Sequence, residues 1–563
     1  MNTRKLLGLI LVIILIASMA GAARASDTIM ALNTESTITA LPVFPGAEGY
    51  GTTTPAGSGR HLSPPQTRVY KVTNLDASGS GSLKDCLAAS GPRVCVFEVS
   101  GTIVLNDDLK IRNPYITIAG QTAPSPGITL RGAGLRVGTH DVLIQHLRIR
   151  VGDDPNGPNP ENRDGIGIEG SSGVYNVVID HCSISWAIDG NVDLWYEGVS
   201  DVTISHSLIS EGLNDSLHPE GTHSTGLLIG KHVHRVSLHA SLLAHNRGRN
   251  PAVQADTETE LINNVFYNWG DWGFTIFSDG GGVGIPLFAN VVGNYYQRGV
   301  DSPNDPPIQV GGSLAATSKV YVSGNIGPGR ESNAADDWEI VSGNDAMYRS
   351  LTPIGTLHAS TISSAYEAYD SVLKNAGARP ADRDAVDERI VEEVRTGTGQ
   401  IINCVEPGAG RCDKNAGGWP ALAQNKRTLI IPANPNGDAD GDGYTDLEEW
   451  LHAFSADVEG VPRLRLSSIP DDQSIRLTWT LNTTVPVTST WQIAYDGPAG
   501  DQFSPITDII SSTRDYSLTG LTNYRWYTIT LQAMFSGTPL LTDTVRMMPT
   551  DIFFYLPLIS QTY

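Results

Sequence analysis

Short β-branched runs separated by turns recur along the middle of this chain, and they limit the possible folds more than any other feature. Four of them begin at Val177, Val202, Val236 and Leu261, at intervals of 25, 34 and 25 residues. One run cannot bury an apolar face alone, so successive runs must stack on one another. The sequence therefore predicts an all-β fold, a right-handed parallel β-helix with a continuous core of inward Val, Ile and Leu. A β-propeller is the alternative, but it needs four strands in each repeat of about 40–45 residues.

The length of 563 residues predicts two or three domains, because a single compact core of that size is uncommon. Hydrophobic residues make up 40% of the chain and charged residues 17%, as expected for a globular protein. Changes of pattern mark the boundaries. The predicted segments are a signal peptide (1–25), a leader (26–43), the parallel β-helix (44–345), a helical and irregular extension packed on it (346–435), a calcium loop (436–452), a β-sandwich (461–548) and an apolar tail (549–563).

The N-terminus has the pattern of a secretion signal. Arg4 and Lys5 precede an apolar run from Leu6 to Ala17, and small residues at Ala23 and Ala25 provide a cleavage site. The apolar run is short for a membrane anchor. We therefore expect a secreted, extracellular protein with no membrane attachment after cleavage.

Four of the five cysteines form two pairs that are close in sequence, Cys86 with Cys95 and Cys404 with Cys412. In an exported protein such pairs predict disulfides that close small loops. Cys182 is left over within an apolar strand pattern, which favours a buried, inert thiol.

Charge is distributed unevenly along the chain. The formal net charge is −22, which disfavours nucleic acid as a partner. Asp180, Asp189 and Asp193 form an acidic stretch, whereas residues 222–254 contain no Asp or Glu but several Lys, Arg and His. Carboxylates that can hold a hard cation, followed by an acid-free basic stretch, suit an anionic substrate.

Beyond residue 325 the strand rhythm fades, and two segments, 364–377 and 382–395, have helical spacing. A third segment, 438–449, matches the template of a calcium-binding loop, with Gly443 at the sharp turn. With one following helix, we expect a structural site rather than a sensor, and a solvated acidic turn is the alternative. The candidate ligands are Asp438, Asp440, Asp442, the carbonyl of Tyr444, Asp446 and Glu449.

The composition changes again after Val461, where alternating strands occur at the spacing of a β-sandwich. Tyr516, Leu518 and Leu521 are similar to the pattern of a fibronectin type III domain. The expected role is that of a spacer or of a module that binds carbohydrate.

Several motifs, taken together and in order, resemble secreted bacterial pectate lyases of polysaccharide lyase family 1. They are FPGAEGYG from Phe44, VFEVSGTI from Val96, ITIAGQTAPSPGITL from Ile116 and VVIDHCSISWAIDGNVD from Val177. The resemblance extends from about Phe44 to Trp450. It implies a parallel β-helix and calcium-assisted β-elimination of α-1,4-polygalacturonate, which gives 4,5-unsaturated oligogalacturonides.

The resemblance also implies roles for individual residues. Asp164, Asp189 and Asp193 correspond to the carboxylates of the calcium site, and Arg249 corresponds to the arginine that acts as Brønsted base. Further basic residues nearby are expected to bind the anionic substrate. They are Arg247, Lys231, His223 and His245.

Two positions depart from the family pattern. Thr225 stands where a lysine is usual, and Gln254 stands where a second arginine is usual. Lys231 and Arg247 are the candidates to compensate. These departures bear on the substrate subclass rather than on the fold.

The chemistry sets requirements of its own. Elimination in a uronate chain removes the C5 proton, which becomes acidic when the C6 carboxylate is neutralised by a cation. Asp189 and Asp193 differ by an even number, so on an extended segment they face the same side. Arginine is normally protonated, so its use as base requires a desolvated pocket crowded with cations. In a weaker version of the hypothesis, Arg249 only stabilises the enolate-like intermediate.

Three functions follow from these observations. The first is a calcium-dependent pectate lyase, which we expect to act as a monomer. The second is a pectin lyase for methylated polymer, which the Asp189 and Asp193 pair disfavours. The third is a non-catalytic β-helix that binds polysaccharide or acts as an adhesin. A zinc site is disfavoured, because the histidines concerned form no HExxH pattern. Those histidines are His218, His223, His232, His234 and His239.

Overall fold

The computed structural model describes residues 41–551 apart from 172, 196, 279–283, 312–313, 343–345, 461–463, 482–484, 487, 497–504 and 536. The predicted signal peptide, most of the predicted leader and the residues of the apolar tail from 552 onward lie outside the described residues. The chain divides into the units Met1–Leu41 and Pro42–Tyr563, and the description concerns the second unit.

Within the described residues, twenty-eight short strands, β1–β28, form three parallel sheets, and the chain passes through the sheets in turn as it coils. Sheet I contains β1 (Arg68–Val72), β2 (Arg93–Phe97), β5 (Ile116–Ala119), β8 (Val142–Gln145), β11 (Val174–Asp180), β14 (Val199–Ser205), β17 (His234–His239), β20 (Glu258–Ile262), β23 (Phe288–Val292), β26 (Lys319–Ser323) and β28 (Arg349–Ser350). Sheet II contains β4 (Leu109–Ile111), β7 (Leu135–Val137), β10 (Ile166–Glu169), β13 (Gly190–Trp195), β16 (Thr225–Ile229), β19 (Ala252–Gln254), β22 (Phe274–Phe277), β25 (Ile308–Val310) and β27 (Val341–Ser342). Sheet III contains β3 (Gly101–Val104), β6 (Ile128–Arg131), β9 (Leu147–Arg150), β12 (Ser183–Ser185), β15 (Leu208–Ser210), β18 (Leu242–Ala244), β21 (Val265–Tyr267) and β24 (Tyr295–Gln297). The predicted parallel β-helix is confirmed.

Columns of apolar side chains fill the coil. In sheet I, Ile179, Ile204, Leu238 and Leu261 are paired in register on successive strands, and all four are fully buried. The pairing corrects one of the predicted intervals, because Val236 pairs with Thr259 rather than with Leu261. The true step is therefore two residues shorter. Since side chains alternate with a period of two, the error left the inward face unchanged.

The helices of the described chain are α1 (Leu83–Ala88), α2 (Ala365–Asn375), α3 (Ala385–Thr396) and α4 (Asp446–Glu459). Helices α2 and α3 cover the outer face of sheet III. Helix α2 begins with a capping box between Ser364 and Glu367, and α3 ends at Gly397 in the left-handed conformation. The two predicted helices thus correspond to α2 and α3. Their apolar residues join one cluster with residues of sheet III, including Leu208, Leu242 and Val265.

Short 3₁₀ turns connect several of these elements. They span Ala56–Ser58, Gly120–Thr122, Pro160–Asn162, Asp337–Ile340, Ala346–Tyr348, Pro380–Asp382 and Gly410–Asp413.

The C-terminal region forms two antiparallel sheets that share one core, which includes Trp479 and Trp491. The sandwich that the strand spacing predicts is therefore confirmed, whereas its fibronectin type III character stays a prediction. Its strands are β29 (Leu464–Asp471), β30 (Ser474–Leu481), β31 (Thr490–Asp496), β32 (Ile506–Ile510), β33 (Asp515–Thr519), β34 (Tyr527–Phe535) and β35 (Thr538–Met547).

Both predicted disulfides are present, Cys86 with Cys95 and Cys404 with Cys412. Cys182 is a buried free thiol, and burial raises its pKa to about 12, as expected for an unreactive cysteine. Among the residues that the structure describes, no helix combines the length and apolar character that a bilayer crossing requires.

Candidate active site

A cleft of about 510 Å³ lies against the outer face of sheet II. Its walls carry both signs of charge, which is a suitable environment for an anionic ligand together with a cation. The residues that line it are Asp107, Asp108, Lys110, Arg136, Pro158, Asn159, Asn162, Asp164, Gly167, Glu169, Asp189, Asp193, Trp195, Leu228 and Arg249.

Three carboxylates predicted to bind calcium come together in this cleft. Asp164 precedes β10, Asp189 precedes β13, and Asp193 lies within β13. One oxygen from each of the three lies within 4.8 Å of the other two. Neighbouring strands of sheet II place them side by side, because Gly167 of β10 pairs with Asp193 of β13.

Two glycines make room for this arrangement. A Cβ atom at Gly167 would collide with the guanidinium of Arg136, and one at Gly190 would collide with the carboxylate of Asp193. Arg136 passes over Gly167 and forms an ion pair with Asp164. The backbone N–H of Gly190 also donates to Asp164, over 3.0 Å. A larger residue at either position would therefore displace Arg136 or Asp193 from its place in the cleft.

The three carboxylates repel one another because they carry like charges, and their partial burial reduces the screening of this repulsion by water. Burial and the charge of Asp164 raise the pKa of Asp193 well above its usual value. Burial and the charge of Asp189 also raise the pKa of Asp164, although Arg136 opposes this. Among the described residues, Oδ1 of Asp193 has no hydrogen-bond partner. A hard divalent cation with oxygen ligands would satisfy these groups, so the residues fit calcium.

Arg249 enters the same cleft from the turn between β18 and β19. Its Nη1 atom lies 3.6 Å from Oδ2 of Asp193, and its side chain is 30% exposed. The backbone at Arg249 has a φ of 53°, a left-handed corner conformation. The carbonyl oxygen of this residue accepts from the N–H of Leu227 over 2.6 Å. The guanidinium is therefore held on the same flank of the coil as the three acids.

A long insertion between β15 and β16 supports Asp189. The ring of His223, from this insertion, lies with Nε2 2.8 Å from Oδ1 of Asp189, and it stacks on His218 at 3.8 Å between ring centres. The hydroxyl of Thr225 donates to the carbonyl oxygen of Asp189 over 2.7 Å. Thr225 therefore holds the backbone beside the site. His223 contacts an acid of the site and, within the described chain, does not line the cleft.

Three other predicted substrate-binding residues lie away from the cleft walls of the described structure. His245 is fully buried, with Nε2 3.2 Å from Glu393 of α3 and Nδ1 2.9 Å from the amide of Asn268. It therefore supports the packing of α3, and the prediction of substrate contact is corrected. Arg247 turns to Thr222 and Asp271. The backbone N–H of Lys231 donates to the side chain of Gln254 over 3.0 Å.

Sequence reasoning missed Arg136 and Asp108, which belong to the site. Nε of Arg136 donates to Oδ2 of Asp108 over 2.9 Å, and the same guanidinium pairs with Asp164. Arg136 is the central residue of the run LRV, in which both flanking residues point into the core. The signal available in the sequence was an arginine that points outward from β7, the strand next to the one that Asp164 precedes.

The second predicted metal site lies at the start of α4. Oxygens of Asp438, Asp440 and Asp442 lie within 4.8 Å of one another. The loop is closed by its own hydrogen bonds, from the N–H of Gly443 to Asp438 over 3.1 Å and from the N–H of Ala439 to Asp446 over 3.0 Å. Burial and the four nearby aspartates raise the pKa of Glu449 to about 7. Such a group of carboxylates is the set of oxygen ligands that a calcium-binding loop provides.

Comparison with known proteins finds relatives that are named as lyases of pectate or pectin. No protein-family model matches the chain. A protein of Aspergillus fumigatus named probable pectate lyase C is 32% identical over 437 residues, which cover 74% of this chain and 94% of the relative. A probable pectin lyase B of Aspergillus niger is 27% identical, covering 59% of this chain and 81% of the relative. The structure of a thermostable pectate lyase matches with 13% identity and a TM-score of 0.40, covering 60% of this chain and 98% of that one.

Proposed function

The chain belongs to the pectate lyase family, and from that premise we propose that it cleaves polygalacturonate by calcium-assisted β-elimination. The observation that carries this proposal is the convergence of Asp164, Asp189 and Asp193 in a cleft that also contains Arg249. The products are oligogalacturonides with a 4,5-unsaturated end.

Asp164, Asp189 and Asp193 would hold the calcium ion. When bound there, calcium neutralises the carboxylate of the substrate and makes the proton on the adjacent C5 atom more acidic. The ion pair of Asp164 with Arg136 orients one of these carboxylates before substrate arrives.

Arg249 would act on the substrate from a position beside the acids in the same cleft. We assign to it the removal of the C5 proton, after which the C4–O bond breaks and the leaving oxygen takes a proton from water. Nη1 of Arg249 lies 3.6 Å from Oδ2 of Asp193, so a cation held by Asp193 would lie next to the group that takes the proton. Stabilisation of the enolate-like intermediate is the weaker role.

The remaining cleft walls would bind the polymer. Lys110 is exposed, and it can meet a carboxylate of a neighbouring sugar, while Trp195 offers an apolar face to a sugar ring. We also propose that the protein is exported and acts outside the cell, because its N-terminus has the pattern of a secretion signal. We further propose that it acts as a monomer. The calcium loop of α4 would be a structural site.

One assay tests the proposal. Polygalacturonate is incubated with the enzyme in calcium or in chelator, and unsaturated ends are followed by absorbance. We expect product only with calcium, and a loss on the order of a hundredfold in Asp193→Asn. Asp256→Asn is a matched control, because Asp256 contacts His232 and neither residue is among those that line the cleft in the described structure. Equal activity in chelator would refute the calcium mechanism.

The similarity to a pectin lyase favours one alternative that the same assay can detect. A pectin lyase acts on methylated polymer, whose esterified carboxyl needs no neutralising cation. Activity on methylated pectin that chelator leaves unchanged would favour this function. We favour the pectate lyase, because two buried carboxylates and a third, half-buried one would only repel one another if no cation were bound between them.

A further inference from the structure

A further group of metal-binding residue types lies at the corner between sheets I and III, outside both the cleft and the loop of α4. His146 follows β8 and His181 follows β11, so the two occupy the same corner on successive coils. Their rings stack at 5.1 Å between centres. Asp180, at the end of β11, and Glu459, the last residue of α4, complete the group. One ligand atom from each of the four residues lies within 4.8 Å of all the others.

The ring of His146 is held so that one nitrogen points into this group. Nδ1 lies 2.9 Å from the carbonyl oxygen of Ala378, and since a carbonyl only accepts, Nδ1 carries the proton. Nε2 of the neutral ring is therefore a bare acceptor. The ring is fully buried, and Nε2 has no hydrogen-bond partner among the described residues.

A carboxylate oxygen, which is also an acceptor, lies close to this nitrogen. Nε2 of His146 lies 3.3 Å from Oε1 of Glu459. Two acceptors at this distance require something positive between them, either a second proton on the ring or a metal cation. A backbone carbonyl that fixes the tautomer of a histidine is also the usual arrangement behind a metal-binding imidazole.

The distances within the group suit a tetrahedral cation. Metal–nitrogen bonds of about 2.0–2.1 Å place the ligands of a tetrahedral zinc ion about 3.3 Å apart. Nδ1 of His181 lies 3.8 Å from Oε1 of Glu459 and 2.9 Å from Oδ2 of Asp180. The corresponding distance between His146 and Glu459 is 3.3 Å. The three measured distances between ligand atoms, 2.9, 3.3 and 3.8 Å, therefore lie around the expected value of about 3.3 Å.

Asp180 is held firmly for such a role. Its two oxygens accept from Gln145 over 3.0 Å and from Ser205 over 2.8 Å, and His206 approaches within 3.3 Å. These partners come from neighbouring coils, so the carboxylate cannot rotate freely. Hydrogen bonds of this kind orient the carboxylates that bind metals.

The group is open to solvent on one side. His181, Asp180 and Glu459 line a cavity of about 840 Å³, and no residue of this cavity lines the cleft on sheet II. We propose that His146, His181, Asp180 and Glu459 bind a divalent transition metal, with zinc as the preferred ion. Two imidazoles and two carboxylates suit zinc better than calcium, which takes oxygen ligands. The metal would fasten the end of α4 to the coil, because Glu459 is the only helical ligand among the four.

Metal content measured in the full-length protein tests the proposal. The protein is treated with chelator and then dialysed against Zn²⁺ with excess Ca²⁺, which occupies the oxygen sites. We expect one zinc per chain, a higher unfolding temperature with zinc than without it, and the visible absorption of tetrahedral Co²⁺ when cobalt replaces zinc.

Two variants and a control locate the site. His146→Asn keeps a residue that tolerates the left-handed corner, and Glu459→Gln changes a helix end outside the core. Both should weaken zinc binding at least about tenfold. His232→Asn is the control, since His232 also contacts a carboxylate at a left-handed corner, over 2.6 Å to Asp256. The proposal is overturned if the wild-type protein binds no zinc in the presence of calcium, or if both variants bind it as tightly as the control.

Discussion

The guanidinium of Arg249 lies 3.6 Å from the carboxylate of Asp193, measured from Nη1 to Oδ2. The two residues come from different coils, and stacking of the coils alone brings them together. One carboxylate thus faces both the proposed calcium position and the proposed base. Substitutions at the two positions should therefore lower activity in different ways, through calcium binding at Asp193 and through proton removal at Arg249.

Replacement of Arg249 tests its role in proton removal. If it is the base, Arg249→Lys lowers kcat by about a hundredfold to ten-thousandfold, with a small change in KM, because the ammonium differs in reach and geometry. Initial rates of unsaturated product on polygalacturonate measure both constants. Near-normal turnover would dismiss the base role and leave only stabilisation of the intermediate.

Arg247→Ala is the matched control for that experiment. Arg247 lies two residues away and is also basic, but it contacts Thr222 and Asp271 instead of the acids. We expect less than about a threefold change in kcat/KM, as for an exposed ion pair. A loss as large as that of Arg249→Lys would indicate that Arg247 binds the substrate, as the sequence predicts.

Asp193→Asn should raise stability while it lowers activity. Burial and Asp164 raise the pKa of Asp193, so its contribution to stability is present below about pH 4, its unfolded pKa, and is lost as the pH rises. At neutral pH and without calcium, the neutral amide removes this repulsion. Thermal unfolding in chelator should show a higher midpoint for the variant than for the wild type. A lower midpoint would contradict the repulsion.

Asp384 ties α3 to sheet III through buried ion pairs. It forms a bidentate pair with Arg150, which is fully buried, and Arg150 also pairs with Asp387 over 2.7 Å. Asp384→Ala leaves a buried cation short of one partner and should lower the free energy of unfolding by about 3–5 kcal/mol. Denaturant titration measures this. Asp382→Ala, which removes a more exposed pair with Arg379, should change it by less than about 1 kcal/mol.

The same pair predicts sensitivity to acid. Although burial alone would raise it, Arg150 and Arg148 hold the pKa of Asp384 below its usual value. Its stabilising contribution is therefore present above about pH 4, its unfolded pKa, and is lost as the pH falls through the lower folded value. Unfolding midpoints across this range should fall less steeply in Asp384→Asn than in the wild type.

Calcium binding at the loop of α4 should weaken in mild acid. Because burial and the nearby aspartates raise the pKa of Glu449 to about 7, calcium must displace a proton below that pH. Calcium titrations at about pH 8 and about pH 6 should give a lower affinity at the lower pH. Glu449→Gln should lose this dependence. An affinity independent of pH in the wild type would exclude Glu449 as a ligand.

Much of the architecture was accessible from the sequence. The recurrence from Val177 to Leu261 predicted stacked strands, because burial of alternate residues is a local pattern with a period of two. The cysteine pairs and the calcium loop were accessible for the same reason, since each lies within a few residues. The two-residue error at Val236 shows the limit, because the inward face alone does not fix the register.

The sequence by itself determined the repeat, the helices α2 and α3, the disulfide pairs and the identities of Asp164, Asp189, Asp193 and Arg249 as candidates. Only the tertiary structure decided that these four side chains share one cleft, that Arg136 crosses Gly167 to join them, and that His245 is buried under α3. The physical reason is that a coil brings residues together by the register and insertions of its strands. Those depend on pairings between segments far apart in the chain, which no local pattern contains.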